Sequence, residues 1–81
     1  MAITYILRNE KNSSFYVGSS RFNDPNVRLK NHNSGKVRST RTKKPWYIVE
    51  VENYETYSEA RKREIFLKTG VGRKWIYEMF R

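Results

Sequence analysis

Five side chains of this sequence have the chemistry needed to act on a phosphate-containing anion. Glu64 supplies a carboxylate, and Arg28 supplies a guanidinium that can bind two phosphate oxygens at once. His32, the only histidine, follows Arg28 by four positions, so the two share a face if this segment is helical. Tyr5 and Tyr16 add two phenols. Together these groups could bind a metal ion, bind a phosphate and move a proton.

Each of these residues also has an ordinary structural interpretation. Ala60, Glu64 and Leu67 fall on one helical face, which indicates that Glu64 is partly buried and needs a partner. A salt bridge to a nearby arginine or an edge position that reaches water would satisfy it, and so would a hard cation such as Mg²⁺. A single arginine is usually a solvated helix charge, a single histidine usually surface or core filler, and a strand tyrosine usually packing. Residue types alone leave both interpretations open.

The charge of the chain favours a polyanionic partner. Seventeen Lys and Arg against eight Asp and Glu give a net charge of +9, and the segment 25–49 contains no acidic residue. This clustering favours nucleic acid over a merely basic protein. It also argues against a membrane surface, since no amphipathic apolar face backs the charges. The loop within this segment supplies the predicted substrate-binding cations Lys36, Arg38, Arg41, Lys43 and Lys44.

Length and missing residue types limit the class of protein. The 81 residues suffice for one domain, predicted here as residues 1–81. Because cysteine is absent, disulfides and thiolate metal sites are excluded. No apolar run approaches the roughly 20 residues of a membrane span, and the N-terminal residues lack the features of a signal peptide. We therefore expect a cytoplasmic protein that has no membrane partner.

Six predicted elements must position the candidate residues. Hydrophobic alternation and β-forming residues predict three strands, while helical spacing and capping residues predict three helices. The strands are predicted at 2–8, 15–18 and 46–54, and the helices at 25–33, 58–69 and 73–80. The order β-β-α-β-α-α is that of an α+β fold. An N-terminal β-hairpin and a third strand would form a small three-stranded sheet flanked by helices.

The register of the hairpin decides whether the two tyrosines meet. A loop over residues 9–12 places Tyr5 directly opposite Tyr16, on the same face of the sheet, and Gly18 opposite Ile3. A shift of one residue would move one tyrosine to the other face. The sequence therefore predicts a pair of adjacent phenols, provided that this register is formed.

Helix boundaries are predicted from capping residues. Asp24, which proline follows, predicts the start of the first helix, and Gly35 predicts its end. Ser58 is the predicted N-cap of the second helix, while Gly70 and Gly72 are predicted to separate that helix from the last one.

Packing within two of the elements is also predicted. Val27 and Leu29 should supply the apolar contacts of the first helix. Tyr47, Val49 and Val51 should share one side of the third strand, because strand side chains alternate.

With these residues and spacings, the sequence resembles the GIY-YIG nucleases over residues 5–68. Five motifs match in chain order, and in the first two of them the tyrosines lie eleven positions apart. The matches are Ile3-Thr4-Tyr5, Tyr16-Val17-Gly18, Arg28-Leu29 with His32-Asn33-Ser34-Gly35, Ser39-Thr40-Arg41 with Pro45, and Ser58-Glu59-Ala60 with Arg63-Glu64 and Lys68. The sequence departs from the family pattern at Ile3, which replaces a glycine, and near Ile76, where many relatives carry an asparagine.

The resemblance implies a role for each matched residue. Glu64 is implied to be the single protein ligand of Mg²⁺, for which Mn²⁺ can substitute, and Arg28 to contact the scissile phosphate. Tyr5 and Tyr16 are implied to orient or deprotonate the attacking water, and His32 to hydrogen-bond a tyrosine. Because a free phenol has a pKa near 10, hydrolysis that uses a tyrosine base should be favoured at alkaline pH.

The implied activity is a metal-dependent endonuclease that hydrolyses phosphodiester bonds, with DNA favoured over RNA. Gly18 matches a small residue that allows close approach of backbone or substrate. Larger relatives select targets through appended domains, whereas this chain offers its basic loop, so we expect weak sequence specificity, salt-sensitive binding and targeting by a protein partner. Repair, recombination and defence are all compatible roles. The alternative is a non-catalytic nucleic-acid-binding module on the same fold. The oligomeric state is left open.

Overall fold

β1 is the central strand of the sheet and is buried on both faces. The computed structural model describes residues 1–12, 14–22, 24–37, 40 and 45–80. In it, β1 (Ala2–Asn9) pairs antiparallel with β2 (Phe15–Ser20) on one side and with β3 (Trp46–Tyr54) on the other, which gives the order β2-β1-β3. Ile3 and Ile6 point to opposite faces of β1, and both are fully buried.

The helices lie on the two faces of this sheet. α1 (Pro25–Asn33) packs on one face, while α2 (Tyr57–Leu67) and α3 (Gly70–Phe80) pack on the other. The core on the α1 side is built from Ile3, Tyr5, Leu7 and Trp46, and the core on the opposite side from Ile6, Val17, Leu67 and Ile76. The predicted α+β class and the order β-β-α-β-α-α are confirmed. In the described ranges, no helix combines the length and the hydrophobicity needed to cross a bilayer.

The predicted register of the hairpin is wrong by two residues. Tyr5 pairs with Gly18, and Tyr16 pairs with Leu7. The turn begins one residue later than predicted, because the backbone N–H of Asn9 still donates to the carbonyl of Ser14 across the hairpin. The side chain of Asn9 then accepts hydrogen bonds from two backbone N–H groups that follow. A shift of two residues keeps every side chain on its face. The two tyrosines therefore still share a face, as neighbours on a diagonal, with ring centroids 6.4 Å apart.

β3 has the predicted bounds but not the predicted faces. Val49 is an extra residue, since its neighbours Ile48 and Glu50 pair with consecutive residues of β1. Such a bulge reverses the alternation of side chains beyond it. Val49 packs on the α2 side and Val51 on the α1 side. The prediction that Tyr47, Val49 and Val51 share one side is therefore wrong for Val51.

α1 begins and ends as predicted. The side chain of Asp24 accepts hydrogen bonds from the first backbone N–H groups of the helix, and Gly35 follows the helix with a φ of 83°. Leu29 packs on the core as expected. Val27 is 52% exposed, and its predicted apolar contact is wrong, because it lies about 200° round the helix from Leu29.

The N-cap of α2 is Thr56, and the prediction of Ser58 is wrong. The hydroxyl of Thr56 accepts a hydrogen bond from the backbone of Glu59, whose side chain bonds back to the backbone of Thr56. This reciprocal capping box requires threonine or serine three residues before the glutamate, and the sequence contains that spacing at Thr56.

α3 begins at Gly70, three residues earlier than predicted. Gly72 lies inside this helix instead of before it, and it is buried. A Cβ atom at Gly72 would collide with the backbone of Phe66 and Leu67 at the end of α2. The glycine thus permits the close crossing of α2 and α3, and it does not interrupt the helix.

Candidate active site

A chain of hydrogen bonds runs through the α1 face of the sheet. Arg28 Nε donates to the Tyr5 hydroxyl at 3.4 Å, and this hydroxyl lies 3.1 Å from His32 Nε2. Across the imidazole ring, His32 Nδ1 lies 2.7 Å from the hydroxyl of Thr40, which donates to the backbone carbonyl of Val37 at 3.4 Å. Arg28 and His32 share a face of α1, as their spacing predicts, and both contact Tyr5.

The tautomer of His32 follows from this chain. We assign the one hydrogen of the Thr40 hydroxyl to the Val37 carbonyl, and with this assignment the hydroxyl accepts a hydrogen bond from His32. Nδ1 therefore carries the ring hydrogen, and Nε2 accepts the hydrogen of the Tyr5 hydroxyl. Burial, assisted by the positive charge of Arg28, lowers the pKa of His32 from 6.5 to about 4. At neutral pH His32 is thus uncharged and acts as a hydrogen-bond acceptor for Tyr5.

Gly18 provides the space for the side chain of Tyr5, its partner across the strands. A Cβ atom on Gly18 would lie 2.5 Å from Tyr5 Oη and 2.6 Å from Cζ. The phenol ring therefore crosses β2 directly above the glycine, and Tyr5 is only 1% exposed. This is a packing reason for a glycine at position 18, and the implied contact of Gly18 with substrate stays a prediction.

The ionisation of Tyr5 is disfavoured by its surroundings. Burial raises the pKa of Tyr5 above its ordinary value, and the hydrogen bond and charge of Arg28 oppose this effect without reversing it. Without a bound cation, Tyr5 is therefore a weaker source of phenolate than a free tyrosine. Its hydroxyl is held between one donor, Arg28, and one acceptor, His32.

Tyr16 is more open than Tyr5. Its ring centroid lies 4.6 Å from that of His32, and the amine of Lys68 lies 6.0 Å from the centroid of the Tyr16 ring. Within the described ranges, the hydroxyl of Tyr16 has no hydrogen-bond partner. Of the two phenols, Tyr16 has the hydroxyl that is free to contact a water molecule or a substrate.

Glu64 lies on the opposite side of the sheet, on the buried face of α2 that the sequence predicts, and it is 6% exposed. Lys68 Nζ lies 2.7 Å from Oε2, Arg61 Nη1 lies 2.8 Å from Oε1, and the hydroxyl of Ser19 donates to Oε1. Burial disfavours the charge of the carboxylate, but the hydrogen bonds from Lys68, Ser19 and Arg61 outweigh it and lower the pKa of Glu64. Glu64 is therefore ionised at neutral pH.

The outer edge of β2 connects the tyrosines on the α1 side of the sheet with Glu64 on the α2 side. β2 is an edge strand, and its consecutive side chains point to opposite faces. Gly18, on the α1 side, is followed by Ser19, which contacts Glu64 on the α2 side. Lys68 spans the edge, because its amine binds Glu64 and also lies over the ring of Tyr16. The carboxylate and the phenols therefore meet around one short stretch of β2.

A hard divalent cation fits this carboxylate. In the part of the chain that the structure describes, no group of three or more His, Cys, Asp or Glu side chains could hold a metal, so a cation at Glu64 would depend largely on water for its ligands. Mg²⁺ tolerates that arrangement because it retains several waters. The side chains of Lys68 and Arg61, which pair with this carboxylate, are 46% and 49% exposed and therefore reach solvent.

The predicted cations of the basic loop are described only in part. Lys36 is exposed, close after the end of α1. Arg38, Arg41, Lys43 and Lys44 lie outside the residues that the structure describes.

Three residues of the site were given no role from the sequence. Ser19 gave no signal of its own, and Thr40 belongs to a matched motif without an assigned role, because each is brought to Glu64 or His32 by the tertiary fold. Lys68 did carry a signal, since it follows Glu64 by four positions on a helix, the spacing at which opposite charges pair.

The fold and this arrangement define a class of small α+β domains in which strand tyrosines, a helix arginine and a buried glutamate surround one sheet edge. The family model of the GIY-YIG catalytic domain matches residues 1–77. The chain belongs to the GIY-YIG family of nucleases, enzymes that act on nucleic acid. It is also similar to UPF0213 proteins of Staphylococcus aureus strains Mu50, N315 and MW2, each 42% identical over 57 residues, which are 69% of this chain and 67% of the relative. No solved structure gives a significant match.

Proposed function

We propose that this domain is a metal-dependent endonuclease that hydrolyses phosphodiester bonds, with DNA favoured over RNA and with weak sequence specificity. One observation carries the proposal: Arg28, Tyr5, Tyr16 and Glu64, scattered through the chain, converge on the edge of β2 around Gly18. Family membership and the net charge of +9 support a nucleic-acid substrate.

In the proposed mechanism, Arg28 binds the scissile phosphate through the guanidinium nitrogens that Tyr5 does not use. No ion pair between Arg28 and a carboxylate is found among the described residues, so its charge is available to the phosphate. The charge of a fixed guanidinium stabilises the negative charge that builds up on the phosphate oxygens. The hydrogen bond to Tyr5 fixes the orientation of this guanidinium.

Glu64 would hold Mg²⁺, for which Mn²⁺ can substitute. The bound ion would supply Lewis-acid chemistry at the phosphate. The hydroxyl of Tyr16, which is free of partners in the described ranges, would orient the water that attacks phosphorus. The water would form the new P–O bond and release a proton to solvent, while the P–O bond to the leaving oxygen breaks and that oxygen takes up a proton from solvent. Neutral His32 would keep the Tyr5 hydroxyl in place throughout.

Cleavage of a mixed panel of substrates tests the proposal. Labelled duplex, branched and single-stranded DNA and RNA are incubated with Mg²⁺, with Mn²⁺ or with a chelator. We expect metal-dependent cleavage that Glu64→Gln lowers by about 100-fold or more, the effect of losing a few kcal/mol of transition-state stabilisation. Glu55→Gln is the matched control, because it removes the same charge from an exposed turn residue. Cleavage that persists in a chelator or in Glu64→Gln would refute the metal role of Glu64.

The ion pairs of Glu64 favour a second candidate, a non-catalytic nucleic-acid-binding module. Lys68 and Arg61 already satisfy both oxygens of the carboxylate, as in a purely structural buried salt bridge. This alternative predicts tight, salt-sensitive binding without cleavage of any substrate in the panel. It also predicts that Glu64→Gln reduces stability and nucleic-acid affinity together, whereas loss of a metal ligand should spare most of the affinity.

A further inference from the structure

A groove next to the candidate active site remains without a role in the proposed mechanism. It has a volume of about 340 Å³ and lies between the first half of β2, the end of α2 and one side of α3. Phe15 and Tyr16 line one wall, and Lys68, Arg73 and Tyr77 line the other. Since Lys68 binds Glu64 and Tyr16 faces His32, the groove opens directly onto the site.

The walls of this groove combine exposed aromatic rings with positive charges. Tyr77 is 50% exposed and meets Phe15 edge to face, with ring centroids 5.4 Å apart. The guanidinium of Arg8 lies over the ring of Phe15, at 5.6 Å from its centroid, and helps to fix that ring. Arg73 is exposed, and among the described residues it forms no ion pair. Positive charge beside aromatic rings is the pattern that binds single-stranded nucleic acid.

The aromatic rings favour an unpaired base over a base that is paired in a duplex. In a duplex each base is paired and stacked, so its flat face is not accessible to a side chain. An unpaired base exposes that face, and it can stack on a tyrosine whatever its identity. The same strand would place a neighbouring phosphate between Lys68 and Arg73, where both charges are complementary to it.

We propose that this groove binds an unpaired nucleotide of the substrate strand next to the scissile phosphate, with its base against Tyr77 and Phe15 and its phosphate beside Lys68 and Arg73. The inference rests on the proposed function and adds the substrate class: single-stranded nucleic acid, or a duplex with an unpaired nucleotide at the cleavage position. Duplex regions would contact the protein through phosphate charges alone.

Binding without cleavage tests the inference independently of the nuclease proposal. Fluorescence anisotropy in a chelator gives the affinity for a labelled single-stranded oligonucleotide, for a blunt duplex of the same length and for the single strand with abasic positions. We expect Tyr77→Leu to weaken single-strand binding by about 5- to 100-fold, the loss of one stacked base, and to leave duplex binding unchanged. Tyr77→Phe keeps the ring and should retain the affinity.

Matched variants distinguish nucleic-acid binding in the groove from binding through the overall positive charge of the protein. Arg73→Ala should weaken single-strand binding more than Lys74→Ala, which removes the same charge from an exposed position on the same helix. Tyr47→Ala removes a partly exposed tyrosine from the opposite edge strand and should have no effect. Removing the base from the oligonucleotide and removing the ring from the protein should eliminate the same stacking contact. We therefore expect the wild type to bind an abasic strand as weakly as Tyr77→Leu binds an intact strand.

Two outcomes would overturn the inference. One is an equal loss of single-strand and duplex affinity in Tyr77→Leu, and the other is no loss of affinity at all, which would show that no base stacks on Tyr77. Absence of cleavage on every substrate, with the Tyr77 effect intact, would instead refute the nuclease proposal and leave the groove as a nucleotide-binding site.

Discussion

Acidification from pH 7 to pH 5 should destabilise this domain through one residue, His32. Its imidazole is fully buried, and both ring nitrogens are hydrogen-bonded in the neutral form. Protonation would put a hydrogen on Nε2, where the ring now accepts one, and a charge beside Arg28. The folded protein therefore binds this proton less readily than the unfolded chain does, and the pKa of His32 falls from 6.5 to about 4.

The size of the effect follows from the two pKa values. Between pH 6.5 and about 4 the unfolded chain binds more protons than the folded one, so stability rises with pH in this window and is lost on acidification. The full difference between the pKa values of His32 in the unfolded and folded states corresponds to roughly 3 kcal/mol of folding stability. About 2 kcal/mol of this stability is lost between pH 7 and 5. Small domains have total stabilities of about 5 to 15 kcal/mol, so this is a large share.

Urea unfolding at several pH values measures this loss, with the fluorescence of buried Trp46 as the signal. The control is His32→Gln, whose amide does not titrate and can still bond Tyr5 or Thr40. Glu64 also depends on pH, but its pKa is lowered, so its stabilisation is lost only below the ordinary carboxylate range. Measurements at pH 5 and above therefore isolate His32. A wild-type stability as independent of pH as that of the variant would refute the reasoning.

Three further predictions concern the same site. Gly18→Ala should lower the free energy of unfolding, measured in urea, by about 1 to 3 kcal/mol and reduce cleavage, because its Cβ would lie 2.5 Å from Tyr5 Oη. Unchanged stability and activity would show that Tyr5 need not cross β2 here. Thr40→Val should lower the free energy of unfolding by about 1 to 3 kcal/mol, because it leaves the Nδ1–H of His32 without an acceptor. Thr40→Ser keeps the hydroxyl and should retain both the stability and the ¹⁵N NMR signature of an imidazole protonated on Nδ1. If a tyrosine is the base, cleavage should accelerate between about pH 7 and 9, because a free phenol has a pKa near 10, and a flat or falling pH–rate profile would contradict that role.

Local patterns in the sequence were sufficient for the elements and for the face of each candidate residue on its element. Asp24 and Gly35 set the limits of α1 through capping and backbone conformation, which depend on near neighbours in the chain. The helical period placed Glu64 on the buried face of α2. The motifs also identified the family correctly.

Two predictions failed because one residue type satisfies two local rules. Ser58 and Thr56 are both good N-caps, and the partner Glu59 decides between them. Gly72 could end a helix or allow another to approach, and the crossing of α2 and α3 decides for the second. These choices depend on contacts that the local pattern does not contain.

The site itself was decided by tertiary structure. Tyr5 and Tyr16 share a face as predicted only because the observed register differs from the predicted one by an even number of residues, and the turn after Asn9 goes with the register that puts Tyr5 over Gly18. Thr40 reaches His32 across a loop, and Ser19 reaches Glu64 across forty-five positions of sequence. Such contacts depend on how the helices pack on the sheet. Residues that lie far apart in the sequence can be neighbours in the fold, so their sequence separation does not give the distance between their side chains.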